Sequence, residues 1–418
     1  MSELFKKISE YIECTKNDIV DLTLELVKIN SETGYEKEAV DFYADYLKKL
    51  GLDVRLLHVE EGRSNIIAKM AGSGGGVSLM LQGHIDTIPW GQCVNPHVEW
   101  SEGRIYGRGA ADNKGSLASA AIVAKTLLDL EVKLKGDLFI VACVGEEQAE
   151  KPNGTLWKNG AQALIEGGFR VDSGVVLECS PPLQVAIANK SNVRFEIIIS
   201  CGDRIYHETE RPLKFNPLFW QAELIKEIGK LNNNLSKRMH PLLGHPTINL
   251  GRVVGADFSN PQHNTVPINC LVTGIRRTLP GETKERVKAE FESVIDTIKK
   301  RSASLKVPLE FKLQLVGEPS AWEISPKEPI VKVFLKILEK VLGKRVKPVG
   351  YPAQGDARWF NKGVTEWHSK YNQRGIPTVC FGPGGTIHSD KEYVEIKNLV
   401  TLAKVCTLVA FEYCRGKK

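Results

Sequence analysis

The sequence has no cysteine pattern of the kind that builds a disulfide framework. Its nine cysteines are an odd number, they are spread from Cys14 to Cys414, and no two of them are arranged as C-x-x-C. Scattered cysteines of this kind are typical of reduced thiols in a cytosolic protein. We therefore expect a cytoplasmic protein without structural disulfides.

The sequence also has no long apolar run. No window reaches the roughly 18 apolar residues of a membrane-spanning helix. The first residues mix Glu3, Lys6, Lys7 and Glu10 with apolar residues at helical spacing, so they lack the apolar stretch of a signal peptide. Low-complexity tracts and internal repeats are absent as well. We expect a soluble chain that does not contact a membrane.

A strong excess of one charge is missing too. There are 56 lysines and arginines against 50 aspartates and glutamates, a formal net charge of +6 over 418 residues. The basic clusters Lys299–Arg301, Lys344–Arg345 and Arg415–Lys418 have no aromatic residues between them. Such clusters are typical of solvated surfaces rather than of nucleic-acid interfaces. We expect no nucleic-acid partner.

The length and the 42% apolar content indicate a globular protein of two domains. Apolar strand patterns alternate with helical patterns up to about residue 189, which predicts an α/β fold with a mainly parallel sheet and helices on both faces. Residues 190–306 instead form a β-α-β-β-α block, expected to be an inserted α+β domain. Residues 307–418 return to the first pattern, so the predicted first domain is discontinuous, with segments 1–189 and 307–418.

The glycines of the Ser73–Gly76 stretch raise the alternative of a phosphate-binding loop. Such a loop leads into a helix, whereas the residues after Gly76 have the pattern of a strand. The stretch is therefore interpreted as a tight turn, and a nucleotide-binding protein is disfavoured.

Five short stretches carry side chains that bind metals, and three of them directly follow an apolar run. Polar residues at the carboxyl ends of buried strands form the binding crevices of open α/β sheets. The stretches are Gly83-His84-Ile85-Asp86-Thr87, Gly109-Ala110-Ala111-Asp112-Asn113-Lys114-Gly115, Gly145-Glu146-Glu147, Leu177-Glu178 and Gly384-Gly385-Thr386-Ile387-His388-Ser389.

Each of these residues alone has an ordinary structural explanation. His84 suits a structural histidine at a strand end, Asp112 a helix N-cap and His388 an exposed loop residue. Together they predict a metal centre, because the two carboxylates of Glu146-Glu147 lie beside a buried strand and need a compensating cation. Histidines mixed with carboxylates suit Zn²⁺, with Co²⁺ or Mn²⁺ as alternatives. Two adjacent metals can acidify a shared water and polarise a carbonyl, which leaves one glutamate as a general base.

The chain resembles the co-catalytic zinc amidohydrolases and peptidases, a family that includes acetylornithine deacetylase, succinyl-diaminopimelate desuccinylase, aminoacylase and glutamate carboxypeptidase. The resemblance covers about residues 18–412. It lies in G-H-I-D-T-I-P near His84, Y-G-R-G-A-A-D-N-K-G near Asp112, G-E-E at 145–147 and G-P-G-G-T-I-H-S at 382–389.

The resemblance implies two zinc ions and a role for each residue of the centre. By it, His84 and Glu178 bind one metal, Glu147 and His388 bind the other, and Asp112 bridges them. Glu146 is the implied general base. Asp86 would hold the His84 imidazole in its ligating tautomer.

The resemblance also implies an inserted lid that forms a homodimer. In the lid, His207 would donate a hydrogen bond to the oxyanion in the partner subunit's site, Asn264 would contact substrate, and Arg276 would hold a substrate carboxylate. In the first domain, Arg358 and Gly384 would lie against the substrate. The sequence departs from the family at Gly274, where aspartate is usual.

Glutamate at position 178 is associated in this family with deacylases and carboxypeptidases, and aspartate with aminopeptidases and dipeptidases. We therefore expect hydrolysis of the amide bond of N-acylated amino acids. A dipeptidase or carboxypeptidase of the same fold is the alternative, and a non-catalytic scaffold is the alternative from another class.

Overall fold

The computed structural model describes residues 2–178, 182–202, 204–255 and 264–416. These residues contain eleven α-helices and eighteen β-strands. The helices are α1 Ser2–Cys14, α2 Lys16–Lys28, α3 Lys37–Lys49, α4 Gly115–Asp129, α5 Gly160–Glu166, α6 Pro217–Leu235, α7 Lys284–Ser304, α8 Pro329–Leu342, α9 Ala357–Phe360, α10 Glu366–Tyr371 and α11 Ile396–Tyr413. A π-helical turn, Ala110–Lys114, leads into α4, and a 3₁₀ turn, Leu213–Phe215, precedes α6.

The strands fall into one large sheet and three smaller ones. They are β1 Asp53–Glu60, β2 Arg63–Met70, β3 Leu79–His84, β4 His97–Glu99, β5 Arg104–Tyr106, β6 Leu138–Cys143, β7 Ser173–Val176, β8 Ala186–Asn189, β9 Ser191–Cys201, β10 Tyr206–His207, β11 Thr247–Val254, β12 Thr265–Val266, β13 Asn269–Thr278, β14 Leu309–Val316, β15 Trp322–Glu323, β16 Val349–Tyr351, β17 Thr378–Cys380 and β18 Tyr393–Glu395.

The large sheet has the strand order β1-β2-β6-β3-β7-β17-β8-β15, and β16 pairs with β8. Its middle strands β6, β3, β7 and β17 run parallel, whereas β1 and β2 are antiparallel at one edge. Successive side chains of a strand point to opposite faces. Leu79 and Leu81 therefore join the apolar cluster of α1 to α4, α8 and α11, while Met80 joins the cluster of α5 and α9. The predicted α/β class, a mainly parallel sheet covered on both faces, is confirmed.

The second sheet has the order β11-β13-β9-β14 and its own apolar cluster with α6 and α7. Strand β9 alternates buried and partly exposed residues, as expected for a sheet with helices on one face. Strand β14 pairs with β9, so the domain boundary predicted at 306 is wrong: it falls before the last strand of this unit. The apolar residues of β14 alternate with polar ones, which is the pattern of a half-buried edge strand.

Two small sheets complete the architecture. Strands β18-β5-β4 form one of them, beside the loop that carries His388, and β10-β12 form the other. The helices in the described ranges are all too short or too polar to cross a membrane. Eight of the nine cysteines lie in these ranges, and all eight are free thiols, while Cys179 lies outside the described residues.

Candidate metal centre

The candidate residues meet at the carboxyl edge of the large sheet. Strands β6, β3 and β7 are parallel neighbours, and each ends in a residue of the predicted set or is followed by one within three residues. His84 is the last residue of β3, Glu146 and Glu147 follow β6, and Glu178 follows β7. Asp112 comes from the π-helical turn before α4, and His388 from the loop between β17 and β18.

Asp112 lies between the two histidines. Its Oδ1 is 2.9 Å from His84 Nε2, and its Oδ2 is 3.3 Å from His388 Nε2. His388 Nε2 is also 2.9 Å from Glu147 Oε1. The helix that follows begins at Gly115, so Asp112 does not serve as its N-cap.

Two overlapping groups of side chains have ligand atoms within 4.8 Å of one another: His84 with Asp112 and Glu147, and His84 with Glu146 and Glu178. The structure therefore brings all six predicted residues together. One carboxylate faces both imidazoles, as a pair of neighbouring cations requires.

The His84 ring is oriented by Asp86. Nδ1 lies 3.0 Å from the Asp86 carbonyl oxygen and 3.5 Å from its carboxylate. A proton on Nδ1 leaves the Nε2 lone pair directed at Asp112. The Asp86 carboxylate has a second task, because it accepts the backbone N–H groups of Glu146 and Glu147, each at 3.1 Å.

Negative charge is concentrated in the centre, where four carboxylates meet two imidazoles. Glu178 Oε2 is buried and has no hydrogen-bond partner among the described residues. Burial and the neighbouring Asp112 raise the pKa of Glu178 to about 8. Burial, with Glu178 nearby, raises the pKa of Glu146 well above its ordinary value. A buried, unpartnered carboxylate is costly unless a cation binds it, so the donor set fits divalent metals.

Asn113 joins the ends of two strands and was not predicted. Its Nδ2 donates to the Leu177 carbonyl at 3.0 Å, and its Oδ1 accepts from the His84 backbone N–H at 3.3 Å. A Cβ on Gly83 would lie 2.3 Å from this Oδ1, so the glycine of the G-H-I-D stretch permits the contact. The resemblance left position 113 without a role, which is why sequence reasoning missed it.

Glu392 also escaped prediction. Its carboxylate accepts backbone N–H groups of Gly109 (2.9 Å), Ala111 (3.3 Å) and Asp112 (3.3 Å), and it forms a buried ion pair with Arg108. Glu392 thereby fixes the turn that presents Asp112. In the sequence it follows an aspartate and a lysine in a polar loop, and that pattern gives no sign of burial.

Arg358 and Gly384 both border the centre. The Arg358 guanidinium is buried, its Nη2 has no partner in the described part of the chain, and the charges of Glu146 and Glu178 act on it. Gly384 lines a cavity together with Asp112, Glu178 and Tyr351. A Cβ on Gly384 would lie 2.5 Å from Pro182, and its φ is +62°, so a side chain is disfavoured there.

The expectation that Arg276 holds a substrate carboxylate is wrong. Arg276 is fully buried, with Nη2 2.9 Å from Glu282 Oε1 and Nε 3.1 Å from Glu290 Oε2. Adjacent residues of β13 face opposite sides. Arg277 therefore points the other way: its Nη1 is buried without a partner in the described ranges, and its charge acts on Tyr351, which lines the cavity. The sequence offered two adjacent arginines and no means of choosing between them.

His207 and Asn264 lie together on the small β10-β12 sheet. His207 Nε2 is 3.3 Å from Asn264 Nδ2, Nδ1 is 2.8 Å from Thr209 Oγ1, and the His207 side chain is about half exposed. Within the described residues, neither side chain forms a hydrogen bond or ion pair with the six residues of the centre. Their roles toward a partner subunit stay predictions.

Metal binding is expected to release more than two protons at pH 7. Burial lowers the pKa of His84, but Asp112 and Asp86 hold it well above its ordinary value, so its proton adds to those of two other groups. Asp112 and Glu147 raise the pKa of His388 to about 10, and that of Glu178 is about 8, so both groups are protonated in the metal-free protein. Metals bind the deprotonated forms, so affinity should rise with pH from 7 through about 8 and up to about 10. Calorimetric titration in two buffers of different ionisation enthalpy measures the release. Identical heats in both buffers would contradict the prediction.

A family model described as peptidase family M20/M25/M40 matches residues 80–412. Aminopeptidase PepT from Bacillus cereus ATCC 10987 is 21% identical, with a TM-score of 0.75, over 95% of this chain and 98% of that chain. Human carnosine dipeptidase 1 is 16% identical, with a TM-score of 0.74, over 99% of both chains. Bacillus subtilis YXEP, described as a dinuclear metal binding peptidase, is 18% identical, with a TM-score of 0.65, over 96% of this chain and 99% of that chain. Likeness at these identities establishes the shared fold.

Proposed function

Because the chain belongs to peptidase family M20/M25/M40, whose members are metal-dependent hydrolases of amide and peptide bonds, we propose that it hydrolyses the amide bond of N-acylated amino acids. The observation that carries the proposal is the charge around the centre. Two cations that border it, Arg277 and Arg358, each have a buried guanidinium nitrogen without a hydrogen-bond partner among the described residues.

The proposed metal ligands are His84 and Glu178 for one cation, Glu147 and His388 for the other, and Asp112 for both. When bound, two divalent cations, proposed to be Zn²⁺, with Co²⁺ or Mn²⁺ as alternatives, would polarise the substrate carbonyl and acidify the attacking water. The mixture of imidazole and carboxylate donors supports this choice.

Glu146 is the proposed general base. It lies within 4.8 Å of His84 and Glu178 through its ligand atoms, yet the neighbouring Glu147, not Glu146, contacts His388. Burial and the neighbouring Glu178 raise the pKa of Glu146 well above its ordinary value, and a raised pKa makes a carboxylate a stronger proton acceptor once it is ionised. The Glu146 carboxylate takes a proton from the attacking water and returns it to the leaving amine.

The surrounding charges favour a substrate with a carboxylate and no free amine. Arg277 and Arg358 each have a buried guanidinium nitrogen without a partner in the described segments, as a planar anion requires. Lys190 is another cation near Arg277, but its Nζ already donates to the His245 carbonyl at 2.6 Å, and burial with the charges of Arg277 and Arg276 lowers its pKa. A free ammonium would need an acidic partner, but Asp356, a carboxylate near the centre, already accepts bonds from Gln82 and Asn159.

The size of the cavity beside the centre favours a substrate with a small substituent. It measures about 80 Å³, and its walls include Ala111, Pro383 and Ile387 in addition to Asp112 and Glu178. Apolar walls suit a short acyl group or a short aliphatic side chain.

A substrate panel tests the proposal. With the metal-loaded protein, N-acetyl and N-succinyl amino acids should have kcat/KM values at least about 10-fold above those of dipeptides with a free amine, because only the dipeptides bring an unpaired ammonium to the site. Turnover of dipeptides alone would instead identify a dipeptidase. Turnover of N-blocked peptides, but not of acyl amino acids, would identify a carboxypeptidase.

A substitution of Arg277 tests the substrate assignment. Arg277→Met should raise KM for N-acyl amino acids by roughly 10- to 100-fold with little change in kcat, because a charge-assisted hydrogen bond to the carboxylate is lost. The matched variant Arg276→Met should lower the melting temperature without a comparable change in KM. The opposite pattern would restore Arg276 as the carboxylate anchor.

We further propose that the protein acts as a homodimer in the cytoplasm. The free thiols of the described residues support a reducing compartment. The half-exposed His207 supports a role outside its own centre, as the predicted donor to a partner subunit's site. A solution molar mass equal to that of one chain would contradict the dimer.

A further inference from the structure

A buried ion pair lies next to the turn that carries Glu146 and Glu147. Arg63, at the start of β2, is 1% exposed, and Glu36 is fully buried. Arg63 Nη2 is 2.6 Å from Glu36 Oε1, and Nε is 2.9 Å from Oε2. Buried ion pairs contribute little net stability compared with apolar packing, so this one calls for a further role.

The guanidinium fills the space beside Gly145. A Cβ on Gly145 would lie 2.5 Å from Arg63 Nη2 and 2.6 Å from the Lys158 carbonyl oxygen, which accepts a bond from Arg63 Nη1 at 3.1 Å. Gly145 has a φ of +70°, a left-handed backbone that starts the turn. The position of Arg63 thus limits the backbone conformations open to Gly145. This conformation sets the path of the chain into the next two residues, Glu146 and Glu147.

Residues 33–36, the segment that carries Glu36, also support the turn from its other side. Thr33 donates to Asp86 Oδ2 at 2.8 Å, and Asp86 receives the backbone N–H groups of Glu146 and Glu147. Glu36 Oε2 accepts the backbone N–H of Gly34 at 3.0 Å, which ties the Arg63 partner to this segment. Residues 33–36 therefore connect both supports of the turn.

The contacts require the shape of arginine as well as its charge. Arg63 bonds to Glu36, to Glu60 Oε2 at 2.8 Å and to the Lys158 carbonyl, and the Trp157 ring lies 5.0 Å from the guanidinium carbon. A lysine ammonium carries the same charge on a single nitrogen and cannot reach this set of acceptors with a planar fork.

We propose that Arg63 is a positioning residue: locked onto Glu36, it fixes the Gly145 backbone and thereby the direction of the Glu146 and Glu147 carboxylates. The proposal rests on the proposed function, since it gives Arg63 its effect through the predicted base and one predicted metal ligand.

Arg63→Lys is the test. In a Co²⁺ titration of the metal-free protein, one of the two binding steps should weaken by roughly 10- to 100-fold, as for the loss of other groups that orient a ligand. With saturating metal, kcat should fall by roughly 10- to 100-fold while KM stays within about twofold, because substrate contacts are unchanged. The control is Arg238→Lys, since Arg238 also bridges two glutamates, Glu282 and Glu290, but in the second sheet unit. It should leave both metal steps and kcat unchanged.

Two further variants keep the proposal testable if Arg63→Lys does not fold. Trp157→Leu loosens the outer face of the guanidinium and should produce a smaller loss of the same kind. Gly145→Ala places a methyl group against the guanidinium, and its effect on kcat should be non-additive with that of Arg63→Lys or Trp157→Leu.

The outcomes separate this proposal from the proposed function. Variants that melt at lower temperature yet keep both metal steps and the wild-type kcat would show that Arg63 only stabilises the fold. Additive effects of the Gly145 and Trp157 substitutions would also overturn the positioning role. A wild-type protein that binds no metal or hydrolyses no amide would overturn the proposed function itself.

Discussion

Glu146→Gln is expected to reduce kcat by about 10³- to 10⁴-fold while the protein still binds two metals per chain. The amide keeps the size of the side chain but cannot take a proton from water or return it to the leaving amine. Metal binding should persist, because the residues that face the two imidazoles are Asp112 and Glu147. Elemental analysis and steady-state kinetics on the same preparation measure both quantities.

Glu150→Gln provides the matched control, since Glu150 is an exposed glutamate of the same loop. It should leave kcat within about twofold of the wild type, as for most surface substitutions away from a site. Loss of metal from Glu146→Gln would assign Glu146 to the ligands, and full activity in that variant would remove it from the mechanism.

The sequence predicted the metal centre well because its residues follow strands that could be recognised from apolar runs. His84, Glu146 and Glu178 come at the ends of such runs, and parallel neighbouring strands necessarily bring their carboxyl ends to one edge. Asp112 and His388 lie in glycine-rich stretches instead. They were included because they carry ligand side chains, and the family resemblance assigned their individual roles.

The residues that support the centre could not be predicted, because their roles depend on contacts between distant segments. Glu392 reaches the turn of Asp112, and Glu36 reaches Arg63 across the fold. A buried glutamate and a solvated one look alike in a sequence. The choice between Arg276 and Arg277 failed for a related reason: a one-residue difference in register exchanges the two faces of a strand.

Asp112→Asn should weaken metal binding at both sites. A substitution of a residue that faces only one imidazole should weaken only one site. Asp112 is the one side chain of the six with an oxygen within 3.3 Å of both His84 and His388. Breaking a buried charge pair costs roughly 3–5 kcal/mol, so metal affinity should fall by about 10²- to 10⁴-fold. Hydrolysis at micromolar metal should fall below detection, because neither cation would be retained.

The effect can be separated from a general loss of structure. Glu147→Gln should weaken only one of the two metal-binding steps, since Glu147 faces His388. Asp390→Asn, at an exposed position in the loop that carries His388, should weaken neither step. Activity of Asp112→Asn should return in part at millimolar metal if the lost charge mainly lowers affinity, because mass action then refills the sites. A variant that loses only one metal would show that Asp112 serves a single site, and the centre would then need a different bridging group. The shared carboxylate therefore decides whether the two halves of the centre act as one unit: only a bridging Asp112 couples the binding of the second metal to that of the first.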